Sequence, residues 1–146
     1  MLRRLVGIFG AALLLAVGAI AIIDRLGRSW ESRVAVEGHS MEPTLSAGDW
    51  LLVDPGAYRR RAPRVGELAV ARDPRDASRV IVKRVAAIDT NSRLTLAGDH
   101  PAHANDAEQI GAVERAAVLG RPWFCYWPLT RFGPVGGDHS EASSLA

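Results

Sequence analysis

The residue with the most distinctive chemistry is Lys83, the only lysine among the 18 lysine and arginine residues of the chain. Lysine differs from arginine in that its side chain can lose a proton when it is desolvated. Lys83 lies in a β-type stretch, and alternation would place Ile81 and Val85 on its face of the strand. An amine held among aliphatic side chains could act as a general base. The alternative is a partly exposed lysine whose stem alone is buried.

A general base needs a proton donor, and Ser40 is the best candidate in the sequence. It lies in a turn-rich segment in which Gly38 permits close backbone approach and Pro43 favours a turn. Such a turn can expose a hydroxyl and direct backbone N–H groups at a reacting carbonyl. A solvated surface serine is the alternative. His39 is a rival base, but adjacent side chains of an extended segment point in opposite directions.

The other polar groups indicate no cofactor. His100 and His103, with Asp99 and Asp106, have metal-ligand side chains, but a loop of this spacing is a weak zinc signal and is interpreted as polar surface. Cys125 is the only cysteine, which excludes a disulfide framework within the chain, and it is predicted to be a small buried residue. We therefore predict no metal and no cofactor.

The N-terminal part of the chain is predicted to be a membrane anchor, residues 1–26. An uncharged run of 19 residues extends from Leu5 to Ile23. As a helix it would be roughly 28 Å long, about the thickness of a bilayer's hydrocarbon core. Because Ala19 and Ala21 form a small-x-small site, a cleaved signal peptide is the alternative. Both interpretations place the following domain on the extracytoplasmic side.

Residues 27–135 are predicted to form one β-rich domain, and residues 136–146 a flexible tail. The chain has 146 residues and a net charge of +2, which is too weak a bias to indicate nucleic acid binding. Short β-type runs alternate with turn signals, which favours a mainly antiparallel β fold. The runs are Arg33–Val36, Trp50–Val53, Glu67–Arg72, Val80–Ile88, Arg93–Ala97 and Val113–Leu119. The last run could equally be a short helix.

Two further segments allow two interpretations each. The aromatic segment Trp123–Trp127 is expected to pack in the core, or to lie at the membrane interface. The basic segment Arg59–Arg64 is expected to be solvated, or to contact anionic lipid headgroups.

These residues resemble the motifs of the type I signal peptidase family of membrane-bound Ser–Lys proteases. Residues 38–45, GHSMEPTL, resemble the family's nucleophile box S-M-x-P-T-L, and residues 82–85, VKRV, resemble its general-base box. Weaker likenesses are those of residues 48–53 to the strand box, residues 66–70 to a G-D-hydrophobic stretch, and residues 98–106 to the late G-D-N box. The resemblance implies an antiparallel β catalytic domain preceded by one transmembrane helix.

The resemblance also implies roles for individual residues. Ser40 would be the nucleophile and Lys83 the general base, and the Ser40 N–H would contribute to the oxyanion hole. Gly38 occupies a position where some relatives have a serine donor, and Asp106 would match the supporting acid. Met41 and Pro43 would line the substrate-binding site.

The late box departs from the family pattern at His100, Ala104, Ala107 and Glu108. These changes alter the support expected for Lys83, and their effect on activity stays open.

The function implied by the resemblance is a membrane-anchored serine endopeptidase that trims N-terminal segments of exported proteins. The precursor would bind as an added strand and the bilayer would hold the enzyme, without cofactor or nucleic acid. Tyr126-Trp127-Pro128 and the small size look similar to nickel-type superoxide dismutase maturation proteases. The alternatives are a repressor-type Ser–Lys autoprotease and a catalytically decayed, membrane-tethered binding module.

Overall fold

The protein consists of an N-terminal helix followed by one antiparallel β sheet. The computed structural model describes residues 2–103 and 110–135, and the side chains of residues 13–102 and 110–135. The predicted tail, residues 136–146, and the residues Asp106, Ala104, Ala107 and Glu108 lie outside the described residues. The prediction of a mainly antiparallel β fold with an N-terminal helix is confirmed.

Helix α1 comprises Leu2–Glu31 and so continues past residue 26, where the predicted anchor ends. Its last turns dock on the sheet: Trp123 Nε1 donates a 3.0 Å hydrogen bond to the buried hydroxyl of Ser29, and the Arg25 guanidinium lies 4.4 Å from the Trp123 ring centroid. In the described part of the chain, no helix combines the length and the apolar character that crossing a membrane requires.

Eight strands are found within the described residues, in the sheet order β1-β2-β7-β3-β4-β5-β6, with β8 paired to β7. Their bounds are β1 Arg33–Ala35, β2 Trp50–Asp54, β3 Leu68–Asp73, β4 Asp76–Ile88, β5 Leu94–Ala97, β6 Ala112–Val113, β7 Val118–Trp127 and β8 Gly133–Pro134. A short helix, α2, comprises Ala57–Arg60. Single 3₁₀ turns comprise Pro101–His103, Arg115–Ala117 and Leu129–Arg131.

The predicted run Val113–Leu119 is wrong as a single element. It is divided among the end of β6, the 3₁₀ turn Arg115–Ala117 and the start of β7. The aromatic segment belongs to β7, which pairs with β2, β3 and β8 and so joins the two halves of the sheet. Cys125 is 1% exposed, as predicted, and burial raises the pKa of its thiol.

Two hydrophobic clusters form the core. One contains Ile81 and Val85 of β4 together with residues of β3, β5 and β6. The other contains Met41 and Leu45 of the segment after β1, packed on β2, β3 and β7. The second cluster therefore lies directly beneath the turn that carries Ser40.

The basic segment Arg59–Arg64 is not simply solvated, because two of its arginines pair with buried acids, while its contact with lipid headgroups stays a prediction. Arg60 donates a 2.8 Å hydrogen bond to Asp54, and Arg61 contacts both carboxylate oxygens of Glu67. Both acids are buried, so these arginines neutralise carboxylates that would otherwise be desolvated and unpaired. The contacts with Arg61 offset the effect of burial on Glu67 and leave the pKa of its carboxyl below the usual value.

Candidate functional site

Ser40 lies at the start of a compact turn that follows β1. The turn is closed by backbone hydrogen bonds from the Glu42 N–H to the His39 carbonyl, 3.1 Å, and from the Leu45 N–H to the Met41 carbonyl, 2.9 Å. Met41 is 2% exposed and Leu45 is fully buried, so the turn is anchored in the core on both sides of Pro43. Ser40 itself is half-buried.

Lys83 lies in the middle of β4 and is only 6% exposed. Ile81, Lys83 and Val85 are all buried, whereas the intervening Val82 and Arg84 are partly exposed. The predicted alternation along this strand is therefore confirmed. Lys83 has a polar or charged interaction partner, so its amine is not unpaired.

Ser40 and Lys83 border the same cavity, which has a volume of about 670 Å³. Residues 33–41 of β1 and the serine turn form one wall, and residues 78–83 of β4 form the other. Two residues that are 43 positions apart in sequence are thus brought to a shared cleft by the sheet and the turn.

The loop after β5 packs against the backbone of Ser40. The His100 N–H donates a 3.0 Å hydrogen bond to the Ser40 carbonyl oxygen. A Cβ added to Gly98 would lie 2.5 Å from that same oxygen. Only glycine fits this approach without displacing one of the two backbone segments.

A network of polar side chains joins the serine turn, β4 and the loop after β5. Arg84 Nε and one terminal nitrogen donate hydrogen bonds of 2.7 and 2.6 Å to the two carboxylate oxygens of Asp99. Thr44 Oγ1 donates a 2.5 Å hydrogen bond to Asp99, and Arg84 also donates a 2.6 Å bond to the Gly66 carbonyl. Each segment that borders Ser40 or Lys83 is thereby connected to the others.

A second arginine, Arg131, holds the far side of the serine turn. It donates a 3.0 Å hydrogen bond to the Thr44 carbonyl, and its Nε lies 2.9 and 3.0 Å from the carboxylate oxygens of buried Asp49. Asp49 in turn accepts a 2.9 Å hydrogen bond from the Ser46 N–H. The turn is therefore fixed from the core, from the loop after β5 and from the C-terminal side of β7.

The remaining predicted site residues have mixed positions. Gly38 has a φ of +88°, a conformation that favours glycine, and it lines the cavity. Met41 also lines the cavity although it is nearly completely buried, whereas Pro43 is exposed and does not line it. His39 is exposed and its Nδ1 lies 2.7 Å from Glu42 Oε1, a hydrogen bond that lowers the pKa of the Glu42 carboxyl.

The described residues contain no group of three or more side chains that could hold a metal ion. Asp99, considered above as one possible ligand, is instead the acceptor for Arg84. Asp106 and three altered positions of the late box, Ala104, Ala107 and Glu108, lie outside the described residues, so the roles expected of them remain predictions.

Sequence reasoning missed the residues that position the site. Gly98 and Asp99 belong to the segment that resembles the late box, but their contacts with the serine turn and with Arg84 depend on which segments the fold brings together. The position of Arg84 next to the single lysine was a signal that could have been used. No comparable signal pointed to Arg131.

Comparison with known proteins identifies the family to which the chain is similar. The family described as signal peptidase, peptidase S26, matches residues 3–92, a stretch that includes both Ser40 and Lys83. The chain is 26% identical over 121 residues to the mitochondrial ATP-independent inner membrane protease subunit 1b of Arabidopsis thaliana, covering 68% of this chain and 72% of the relative. It is also 26% identical over 119 residues to the human mitochondrial inner membrane protease subunit 1, with the same shares.

A bacterial relative supports the same assignment. The chain is 25% identical over 145 residues to the probable signal peptidase I-2 of a Synechocystis species, covering 70% of this chain and 66% of that protein. These relatives do not address the nickel-type superoxide dismutase maturation subgroup, which stays a prediction. Because the family match covers more than half of the chain, this protein belongs to the signal peptidase S26 family of peptidases.

Proposed function

We propose that this protein is a membrane-bound serine endopeptidase that removes N-terminal segments from exported or membrane-targeted proteins. Ser40 is the nucleophile and Lys83 the general base. The observation that carries the proposal is that these two residues border one cleft, with Lys83 buried and Ser40 half-buried. The membership of the chain in a peptidase family supports it independently.

The chemistry is acyl transfer through a covalent intermediate. The neutral Lys83 amine accepts the Ser40 hydroxyl proton as the oxygen attacks the scissile carbonyl. The protonated amine then gives that proton to the leaving nitrogen. Water, deprotonated by the same amine, hydrolyses the ester and restores Ser40. The Ser40 N–H stabilises the developing oxyanion, and the tethered turn keeps this donor in place.

The substrate binds as an extended strand in the cleft. Strand β4 pairs with β3 over most of its length, but β5 pairs only with Arg84–Ile88. In the described part of the structure, the opposite edge of residues 76–83 therefore has no strand partner, and residues 78–83 line the cavity. An open edge beside the nucleophile supports strand addition, in which main-chain hydrogen bonds supply affinity.

Membrane association completes the proposal, with residues 1–26 as the anchor and residues 27–135 as the extracytoplasmic catalytic domain. The uncharged run Leu5–Ile23 supports the anchor, as do the names of the inner membrane protease relatives. Exposed apolar side chains continue from α1 onto the sheet, and the Trp30 ring contacts Tyr126 at 5.7 Å between centroids. Trp50, Trp127, Leu129 and Phe132 are all more than 40% exposed nearby in the fold. The tryptophan rings among them combine an apolar body with a polar N–H, and such rings favour the lipid–water interface.

The decisive experiment follows the cleavage of exported precursors by the detergent-solubilised full chain. New N-termini are read by mass spectrometry for the wild type and for Ser40→Ala and Lys83→Met. Ser78→Ala is the matched control, since Ser78 lines the same cavity on the other wall. We expect both dyad variants to lose cleavage and the control to retain it.

Cleavage that persists in Ser40→Ala or in Lys83→Met would contradict the mechanism. Loss of cleavage supports the mechanism only if both variants unfold at temperatures close to that of the wild type. Wild-type protein that binds precursors without cleaving them would instead favour the membrane-tethered binding module.

A further inference from the structure

Three arginine side chains border the cleft. Arg33 lines one wall, and Arg75 and Arg79 line the other, while Glu37 is the one acidic residue among the residues that border the cavity. The mechanism uses none of these arginines. They belong to the part of the cleft that a bound strand would cross on one side of the scissile bond.

The three arginines are not equivalent. Arg75 donates hydrogen bonds of 2.9 and 2.7 Å to the buried carboxylate of Asp73, so its charge is already neutralised locally. Arg33 is exposed, and its guanidinium lies 4.9 Å from the centre of the Trp30 ring. Arg79 is exposed, and the ion pairs of the described residues do not include it.

Arg79 also has a defined distance from the reacting groups. It precedes Lys83 by four residues on β4, which corresponds to about 13 Å along an extended strand. A substrate strand paired with this edge advances by the same rise for each residue. The substrate side chain beside Arg79 therefore lies about three to five residues from the cleaved bond.

We propose that Arg79 is a specificity-determining residue, which selects substrates with an acidic side chain about three to five residues from the scissile bond. The proposal rests on the proposed function, since it assigns a charge preference to the same cleft. Arg33 also borders the cavity and adds to its positive potential. The side-chain hydrogen bonds of Asp73 are made to Arg75, and the charge of Arg79 interacts with Asp73 and Asp76 only through space. A lysine at the same substrate position would be repelled.

The size of the preference follows from the exposure of the guanidinium. A solvent-exposed ion pair contributes little, and a pair partly shielded by a bound strand contributes somewhat more. We expect kcat/KM for a glutamate peptide to exceed that for the matched lysine peptide by about three- to tenfold at low salt. The ratio should fall as added salt screens the pair.

The test is a scan with peptides derived from one cleaved precursor. A single Glu or Lys is placed at each position within about six residues of the bond, on both sides, and an all-neutral peptide serves as reference. The wild type is compared with Arg79→Glu. The matched control is Arg59→Glu, which changes the net charge equally at an exposed position outside this cleft. Affinities of the same peptides for Ser40→Ala are measured by fluorescence anisotropy.

The expected result is a Glu-over-Lys preference at positions three to five on one side, inverted in Arg79→Glu and unchanged in Arg59→Glu. An identical ratio in the wild type and in Arg79→Glu would overturn the proposal while Ser40-dependent cleavage of the neutral peptide upheld the function. If no peptide is cleaved, the catalytic proposal fails. The anisotropy measurement then still decides whether Arg79 selects acidic peptides for binding.

Discussion

Replacing Gly98 with alanine should lower the activity of the proposed site although Ser40 and Lys83 themselves are unchanged. The added methyl group would lie 2.5 Å from the Ser40 carbonyl oxygen, and 3.4 Å from the Ser40 carbonyl carbon and Cβ. These neighbours include backbone atoms, which cannot rotate away as a flexible side chain can. The same oxygen accepts the 3.0 Å hydrogen bond from the His100 N–H, so the clash also distorts the hydrogen bond that fixes the turn.

The size of the effect follows from the displacement. Relieving the contact requires the two segments to separate by about 0.5 to 0.9 Å. A misplacement near 1 Å can reduce catalysis by about 100-fold, so we expect kcat to fall roughly 10- to 100-fold. The overpacking should also cost about 1–3 kcal/mol of unfolding free energy. At roughly 4 °C per kcal/mol, Tm should fall by about 4 to 12 °C.

The assay compares kcat and KM for a cleaved peptide well below the Tm of every variant, so that unfolding does not contribute. Gly27→Ala is the matched control: a Cβ at Gly27 meets nothing within 4 Å, and alanine is the better helix former. The control should keep wild-type kcat and gain a little stability. Wild-type kcat in a folded Gly98→Ala variant would refute the idea that this backbone contact positions the nucleophile.

Three further predictions test other parts of the fold. Asp99→Asn leaves the Arg84 guanidinium, 14% exposed, without its carboxylate and should lower the unfolding free energy by about 2–4 kcal/mol in urea titrations; an unchanged midpoint would contradict the network. Hydrogen bonds from Arg75 lower the pKa of Asp73 from 3.8 to about 2. The stability that this carboxylate contributes is therefore present above pH 3.8 and lost as the pH falls toward 2. Acid titration of Arg75→Gln should be flatter in that window, and equal slopes would count against the pair. Tryptophan fluorescence should shift to the blue when vesicles are added to the wild type, and less in Trp127→Ser; no shift would place this face in water.

Local chemistry and alternation were enough to single out Ser40 and Lys83, which border one cleft. The β-branched run around Lys83 has a single favourable conformation, an extended strand with Ile81, Lys83 and Val85 on one face, and the structure has that pattern. The serine turn could also be predicted, because Gly38 permits a positive φ and Pro43 restricts its own φ. Whether Ser40 and Lys83 act as a dyad stays a prediction that the cleavage experiment tests.

The errors occurred where tertiary contacts override local patterns. The alanine-rich sequence around Arg115–Ala117 carries no break signal, yet the chain turns there to begin β7. The aromatic segment was predicted to lie in the core or at the interface, and its residues differ along β7: Cys125 is buried, whereas Trp127, the last residue of the strand, is 52% exposed. The basic segment was predicted to be solvated, whereas Arg60 and Arg61 pair with Asp54 and Glu67, each six residues away in sequence, because the fold buries these two acids.

The positions of the supporting residues suggest how such a small domain holds a catalytic turn. The turn contributes few residues to the sheet, so regular strand pairing cannot fix it. It is held instead through main-chain atoms: the Ser40 carbonyl by His100, and the Thr44 carbonyl by Arg131. Backbone atoms do not change with sequence, so the residues of the turn can vary without loss of these bonds, whereas Gly98 cannot be enlarged. Apart from Ser40 and Lys83 themselves, the site should therefore be most sensitive to mutation at the positions that hold these main-chain atoms, such as Gly98.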